Sequence, residues 1–161
     1  MVDRAVGSAT FSIDMIEPNV PSNGGVQAVG VGVDLVDIER VDALLKRHGE
    51  RAIARLLTTS ERAYCLGQPR PAQHIAARLA AKEAAYKALQ RAGNARGVGW
   101  CDTEVLLNSD GSPTLKFHGR AATAATALNV HEALVSLTHS NRSAAAVVIL
   151  NGHVHEEMPA R

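Results

Sequence analysis

Large aromatic side chains are nearly absent: two Phe, two Tyr and one Trp in 161 residues. Aromatics therefore cannot dominate the core, and the basic part of the chain lacks the interleaved rings on which single-strand nucleic-acid binders stack bases. Alanine takes their place, occurring 27 times, which predicts helices packed through small, close-set faces. Long apolar runs are also missing. The longest, residues 144–150, has seven residues, against the ~20 that a membrane-spanning helix needs. The first residues show no basic stretch followed by an apolar one, so they do not read as a secretory signal. Cysteine occurs only at Cys65 and Cys101, with no C-x-x-C pair. The expectation is two reduced thiols in a cytoplasmic protein. Neither a P-loop nor a protein-kinase signature is present.

The formal net charge is +1, which hides an uneven distribution. Residues 40–91 hold eight Arg and three Lys against four acids, net +7, while the remainder carries six bases and twelve acids, net −6. A basic middle section in an acidic chain points to an anionic partner.

Residues 1–28 read as a disordered leader, residues 29–151 as one domain and residues 152–161 as a polar tail. In the domain, residues 29–36 alternate as a strand, with Val29, Val31, Val33 and Leu35 on one face and Gly30, Gly32, Asp34 and Val36 on the other. Asp37 is placed to cap a helix with the stripe Val41, Leu44, Leu45 and His48. Thr58 and Glu61 have capping-box spacing. The longest helix is expected over residues 72–92, with Ile75, Leu79, Tyr86 and Leu89 on one face. Strands follow at 103–107 and 114–117 around an Asp110-Gly111 turn, then a short Ala-rich helix at 120–128 and strands at 132–138 and 144–150. Helices mixed with antiparallel strands make an α+β fold.

Three places carry chemistry. Asp34 is a carboxylate in an apolar strand, costly if buried without a partner. On the long helix Lys82 projects into the apolar stripe, flanked by Arg78 and Glu83, with Lys87 one turn beyond Glu83. At a strand end Ser136 and Thr138 share a face, and His139 begins the turn, a set suited to an anion. Two carboxylates with phosphate oxygens suit Mg²⁺, and the cations would neutralise the remaining phosphate charge. The combination fits phosphoryl-type chemistry on a polyphosphate. Rival readings are a basic nucleic-acid-binding or protein-binding module and a catalytically silent relative of an enzyme. His153 and His155 in the tail are too few for a metal site of their own.

Four ordered motifs carry a resemblance. Gly32-Val33-Asp34-Leu35-Val36-Asp37-Ile38 is similar to G-[IV]-D-[IL]-x-x-I, and residues 78–88 match R-[FL]-A-A-K-E-A-x-x-K-A at every fixed position. Ser136-Leu137-Thr138-His139 and Gly111-Ser112-Pro113-Thr114-Leu115 supply the other two. Over residues 29–150 the chain resembles the holo-acyl-carrier-protein synthases, the small bacterial class of 4′-phosphopantetheinyl transferases. The resemblance implies Mg²⁺-dependent transfer of the phosphopantetheine arm of coenzyme A, the co-substrate, to a serine of apo-acyl carrier protein, releasing adenosine 3′,5′-bisphosphate. It implies Asp34 and Glu83 as metal ligands and Glu83, Lys87 and His139 as catalytic groups. Arg70, Arg78, Lys87, Ser136, Thr138 and His139 would bind coenzyme A. Glu83, or a water held by Asp34 or the metal, would take the serine proton. Arg40 matches the arginine that meets the carrier, with Arg47, Arg51 and Arg55 behind it and Ile53 and Leu56 adding apolar contact. A homotrimer with sites between subunits is implied, with no nucleic acid or membrane involved. Where many relatives carry Asp, Thr or Glu after the histidine, this chain has Ser140.

Overall fold

Asp37 ends the first strand and starts the first helix with one side chain: its Oδ1 accepts from the Arg40 backbone N–H at 2.8 Å. The computed structural model describes residues 25–90 and 95–153. The leader up to residue 24, the end of the long helix at Gly93, and the tail from 154, with His155, lie outside the described residues. Strand β1 spans Val26–Asp37, so it begins inside the segment expected as leader. Helices α1 (Ile38–Leu56), α2 (Thr59–Leu66) and α3 (Pro71–Leu89) follow. Hairpin β2 (Thr103–Leu107) and β3 (Pro113–Phe117), helix α4 (Gly119–Ala127), and strands β4 (Val130–His139) and β5 (Ser143–His153) complete the α+β domain. The Thr58–Glu61 capping box forms as expected and starts α2.

Strands β1, β5 and β4 make an antiparallel sheet in that order, and β2–β3 is a separate ladder. The register aligns Asp34 with Ala146 and Leu137 on one face, and Val33 with Val147 and Ser136 on the other. Helix α3 covers the Asp34 face. Gly30 and Gly32 make this possible. A Cβ on Gly32 would stand 1.9 Å from the Ala84 carbonyl oxygen, and one on Gly30 would stand 2.4 Å from that of Ala88. The small alanines of α3 therefore serve to bring strand and helix backbones together. Buried residues of α3 include Ile75, Leu79, Ala80, Ala84 and Leu89, and they surround the helix rather than forming one stripe. The opposite, valine-bearing face of the sheet is open: Val31, Val33, Leu35, Leu134 and Val147 are exposed, Leu35 to 68%.

Lys82 and Glu61 form an ion pair at 2.7 Å with side chains 2% and 0% exposed. Glu61 also accepts from the backbone N–H of Thr58 (2.8 Å) and of Val105 (2.9 Å), and Lys82 donates to the Trp100 carbonyl at 2.8 Å. The lysine in the apolar stripe is thus a structural strut joining α3, α2 and the loop before β2.

A second clasp joins α2 to the hairpin. The Glu104 carboxylate accepts from Ser60, from Thr58 Oγ1 at 2.7 Å and from His118 Nε2 at 2.9 Å. The Ser60 hydrogen bond first, then those of Thr58 and His118, outweigh burial and hold the Glu104 carboxyl at about 2, below its ordinary 4.5. A carboxyl acidified by folding stabilises the protein above its unfolded value and loses that contribution as pH falls through its folded value. Urea midpoints should therefore fall between pH 4.5 and about 2, and Glu104→Gln should flatten that limb. An unchanged slope in Glu104→Gln would show that other carboxylates carry it.

Candidate active site

The close approach of β1 to α3 brings together two carboxylates distant in sequence. Asp34 and Glu83 line one cleft of about 500 Å³, whose walls also include Arg40, Leu79 and Trp100. Lys87, one helical turn past Glu83, donates from Nζ to Asp34 Oδ1 at 2.8 Å and to the Val33 carbonyl at 3.0 Å. The hydrogen bond to Asp34 raises the Lys87 pKa, and the charges of Asp34 and Glu83 add to it against partial burial. Lys87 is therefore a cation at neutral pH, half-exposed between two acids.

Asp34 and Glu83 supply two hard oxygen donors on rigid elements, with room in the cleft for further oxygens. Among the described residues no group of three or more His, Cys, Asp or Glu is arranged to hold a metal. Two carboxylates plus water and phosphate oxygens match Mg²⁺, which keeps waters and seldom uses an all-protein cage. The donor set fits that ion. Trp100 was not singled out from the sequence. It walls the main cleft and, with Glu83, Tyr86 and Val98, a smaller neighbouring cavity. The signal available was its being the sole tryptophan, in a glycine-flanked segment.

A second, cationic cluster lies at the other end of α3. Arg70 is exposed at the helix N-cap. The His139 ring Nδ1 is hydrogen-bonded to Gln73 Nε2. The pKa of His74 is lowered by burial first, then by the charges of Arg78 and His139. Among the described residues, none of His74, Arg78 and His139 pairs with a carboxylate. Arg78 itself is only 4% exposed. Its guanidinium lies 4.2 Å over the Tyr64 ring and donates to the His74 carbonyl at 3.3 Å. Arg78, expected to meet a phosphate, is packed inside the protomer against Tyr64. Cys65 beside it is a free, buried thiol, pushed up to about 11 by burial, and Cys101 is free and exposed.

Within one protomer Ser136 and Thr138 stand apart from Asp34 and His139, and the expectation for Ile53 is corrected. Alternation along β4 puts both hydroxyls on the open face, in register with Val147 and Ala145, while His139 pairs with Ala144. Ile53 is not a surface contact; it is 3% exposed and packs with Val41, Leu57 and Ile75. An unbroken α1 would turn Ile53 about 120° away from Val41. Gly49, at φ 57° and ψ −150°, breaks the helix and rephases it. Arg47, Arg51 and Arg55 remain exposed and line a groove with Leu44 and Leu56 on α1, and Arg40 opens the main cleft. The His139 cluster stands apart from the cleft in one protomer: Gln73 precedes Glu83 by ten residues of helix, about 15 Å of rise.

Comparison with known proteins gives one consistent family. Residues 30–148 match the model of the 4′-phosphopantetheinyl transferase superfamily. A holo-[acyl-carrier-protein] synthase of Geobacter sulfurreducens is 44% identical over 121 residues, 75% of this chain and 95% of that protein. The acyl carrier protein synthase of Mycobacterium tuberculosis has the same fold, with a TM-score of 0.58 and 34% identity over 77% of this chain and 97% of the other. The Helicobacter pylori holo-[acyl-carrier-protein] synthase, solved in complex with coenzyme A, superposes with a TM-score of 0.63 at 26% identity, covering 74% of this chain and 98% of that one.

Proposed function

Because the chain belongs to the 4′-phosphopantetheinyl transferase superfamily, among its holo-[acyl-carrier-protein] synthases, we propose that the Asp34–Glu83 cleft is where its transfer reaction takes place. The enzyme transfers phosphopantetheine from coenzyme A to acyl carrier protein. The observation that carries the site is the meeting of Asp34, Glu83 and Lys87 where β1 lies against α3.

Asp34 and Glu83 would hold Mg²⁺, which when bound would offset the charge on the diphosphate of coenzyme A. Lys87 supplies a fixed positive charge beside the same oxygens. Glu83, or a water held by Asp34 or the metal, takes the proton of the carrier serine, since a carboxylate is the base this cleft offers. His139 and Arg70 bind the outer phosphates of coenzyme A. Arg78 serves indirectly, by ordering Tyr64 against His74. The separation of the His139 cluster from the cleft, and the open apolar face of Val31, Val33, Leu35, Leu134 and Val147, support a homotrimer whose sites lie between subunits. In that assembly Ser136 and Thr138 belong to the covered sheet face. No helix of the described residues is long and apolar enough to cross a membrane, and we assign the enzyme to the cytoplasm.

Arg40, Arg47, Arg51 and Arg55 on α1 make the docking surface for an acidic carrier. Purified protein with Mg²⁺ should convert apo carrier to the holo form, read as a mass increase. Arg47→Glu should raise the KM for carrier by about tenfold and leave the KM for coenzyme A unchanged, because opposite charge at a docking rim acts on encounter with one partner. Equal effects on both substrates would remove the docking role. An unchanged carrier mass would remove the site assignment as a whole.

A further inference from the structure

We propose that Gln73 is the positioning residue of His139, holding its imidazole as the tautomer that donates from Nε2. The inference rests on His139 facing coenzyme A phosphates, as proposed above, and adds the residue that makes it able to do so.

The two residues come from elements far apart in sequence, each with a fixed backbone. Gln73 lies in the first turn of α3, its N–H donating to the Arg70 carbonyl at 3.1 Å. His139 is the last residue of β4, paired with Ala144. The hairpin beyond it is closed by Ser140, whose N–H donates to the Ser143 carbonyl at 2.8 Å. The Ser140 hydroxyl accepts from the N–H groups of Arg142 and Ser143, each at 3.1 Å. Ser140 is therefore engaged in its own turn. Its hydroxyl and N–H serve the hairpin rather than the histidine ring.

Gln73, from α3, is the side chain that reaches the ring. An amide nitrogen has hydrogens and no lone pair to offer, so Nε2 of Gln73 donates and Nδ1 of His139 accepts. A neutral imidazole accepting at Nδ1 carries its proton on Nε2. The opposite amide orientation would protonate Nδ1 and leave a bare lone pair at Nε2, which would repel a phosphate oxygen. His74 on α3 feels the charges of both Arg78 and His139. Among the described residues no carboxylate pairs with His139, so ionic pairing does not fix the ring. A donor of fixed direction adds specificity to a cluster already rich in positive charge.

Long-range ¹⁵N–¹H spectra of the full-length protein report the tautomer directly. The native protein should show His139 protonated at Nε2 and not at Nδ1. Gln73→Ala should give a mixture of tautomers, and Gln73→Glu, which can only accept, should move the proton to Nδ1. In kinetics, Gln73→Ala should raise the KM for coenzyme A by about threefold to tenfold, the scale of one neutral hydrogen bond, with kcat little changed. The double variant with His139→Ala should be no worse than His139→Ala alone. A native His139 protonated at Nδ1, or additive effects in the double variant, would overturn the proposal. If Gln73 sets the tautomer but His139→Ala binds coenzyme A normally, the positioning stands and the phosphate role of His139 falls.

Discussion

Asp34→Ala and Glu83→Ala should each lower kcat/KM by about a thousandfold or more, with little change in the unfolding midpoint. The size follows from removing half of the protein's oxygen donors to a metal that stabilises transferring phosphoryl charge; single preorganised electrostatic contacts are worth ~10²–10³ in rate. Stability should hold because the only ion pair lost among the described residues is Asp34 with Lys87, whose side chain is 44% exposed, and such pairs contribute about 1 kcal/mol or less. The conservative Asp34→Asn and Glu83→Gln separate the roles. If metal affinity is what each carboxylate supplies, raising Mg²⁺ should restore part of the rate. If Glu83 also takes the serine proton, Glu83→Gln should stay slow at any Mg²⁺ concentration. Wild-type rates in either alanine variant would show that the metal is held elsewhere.

Removal of Glu61 should have the largest effect on stability. It would leave the Lys82 ammonium in the core, 2% exposed, and would leave the Thr58 and Val105 N–H groups without their acceptor. Breaking one side of a buried pair costs about 3–5 kcal/mol. That is a large part of the ~5–15 kcal/mol that holds an ordinary domain. Glu61→Ala should therefore show a sharply lowered urea midpoint. The double variant Glu61→Leu with Lys82→Met should recover most of the loss, because the desolvation of both charges is removed together. A cost below about 1 kcal/mol for Glu61→Ala would mean that water reaches the pair. Comparing the activity of the refolded double variant with that of wild type tests whether Lys82 has any part in the chemistry.

Lys82 also illustrates what could be read from the chain. Its sequence neighbours placed it among apolar residues, and it is buried among them, but its partner Glu61 sits on another helix. A capping box accounted for Glu61 locally, and its second use, facing inward to a lysine, depends on how α2 packs on α3. Local chemistry was legible in the same way elsewhere. The Asp37 cap, the Asp110-Gly111 turn and the strand alternation each follow from a few adjacent residues. Alternation gives parity only, and does not tell which face of a strand meets the core. In β1 the glycine face packs under α3, and the valine face is left open for another surface. The same limit separated Ser136 and Thr138 from His139, adjacent in a motif yet on opposite sides of a sheet. Ile53 was misjudged because Gly49 resets the helical phase. The carboxylate pair was legible through its motifs, whereas Gln73 has no motif and becomes visible only when α3 and β4 are seen side by side.

The contact of Gly30 and Gly32 with the carbonyls of α3 has a consequence for how this enzyme can vary. The span between Asp34 and Glu83 is set by main chain resting on main chain, so it works as a ruler that side-chain drift in the surrounding core leaves unaltered. Lengthening it requires a Cβ where none fits. A displacement of one ångström can cost ~10² in rate. A Gly32→Ala lineage would thus lose catalytic alignment and fold stability in one mutational step. Selection on either property alone is enough to keep the position closed to the other nineteen amino acids.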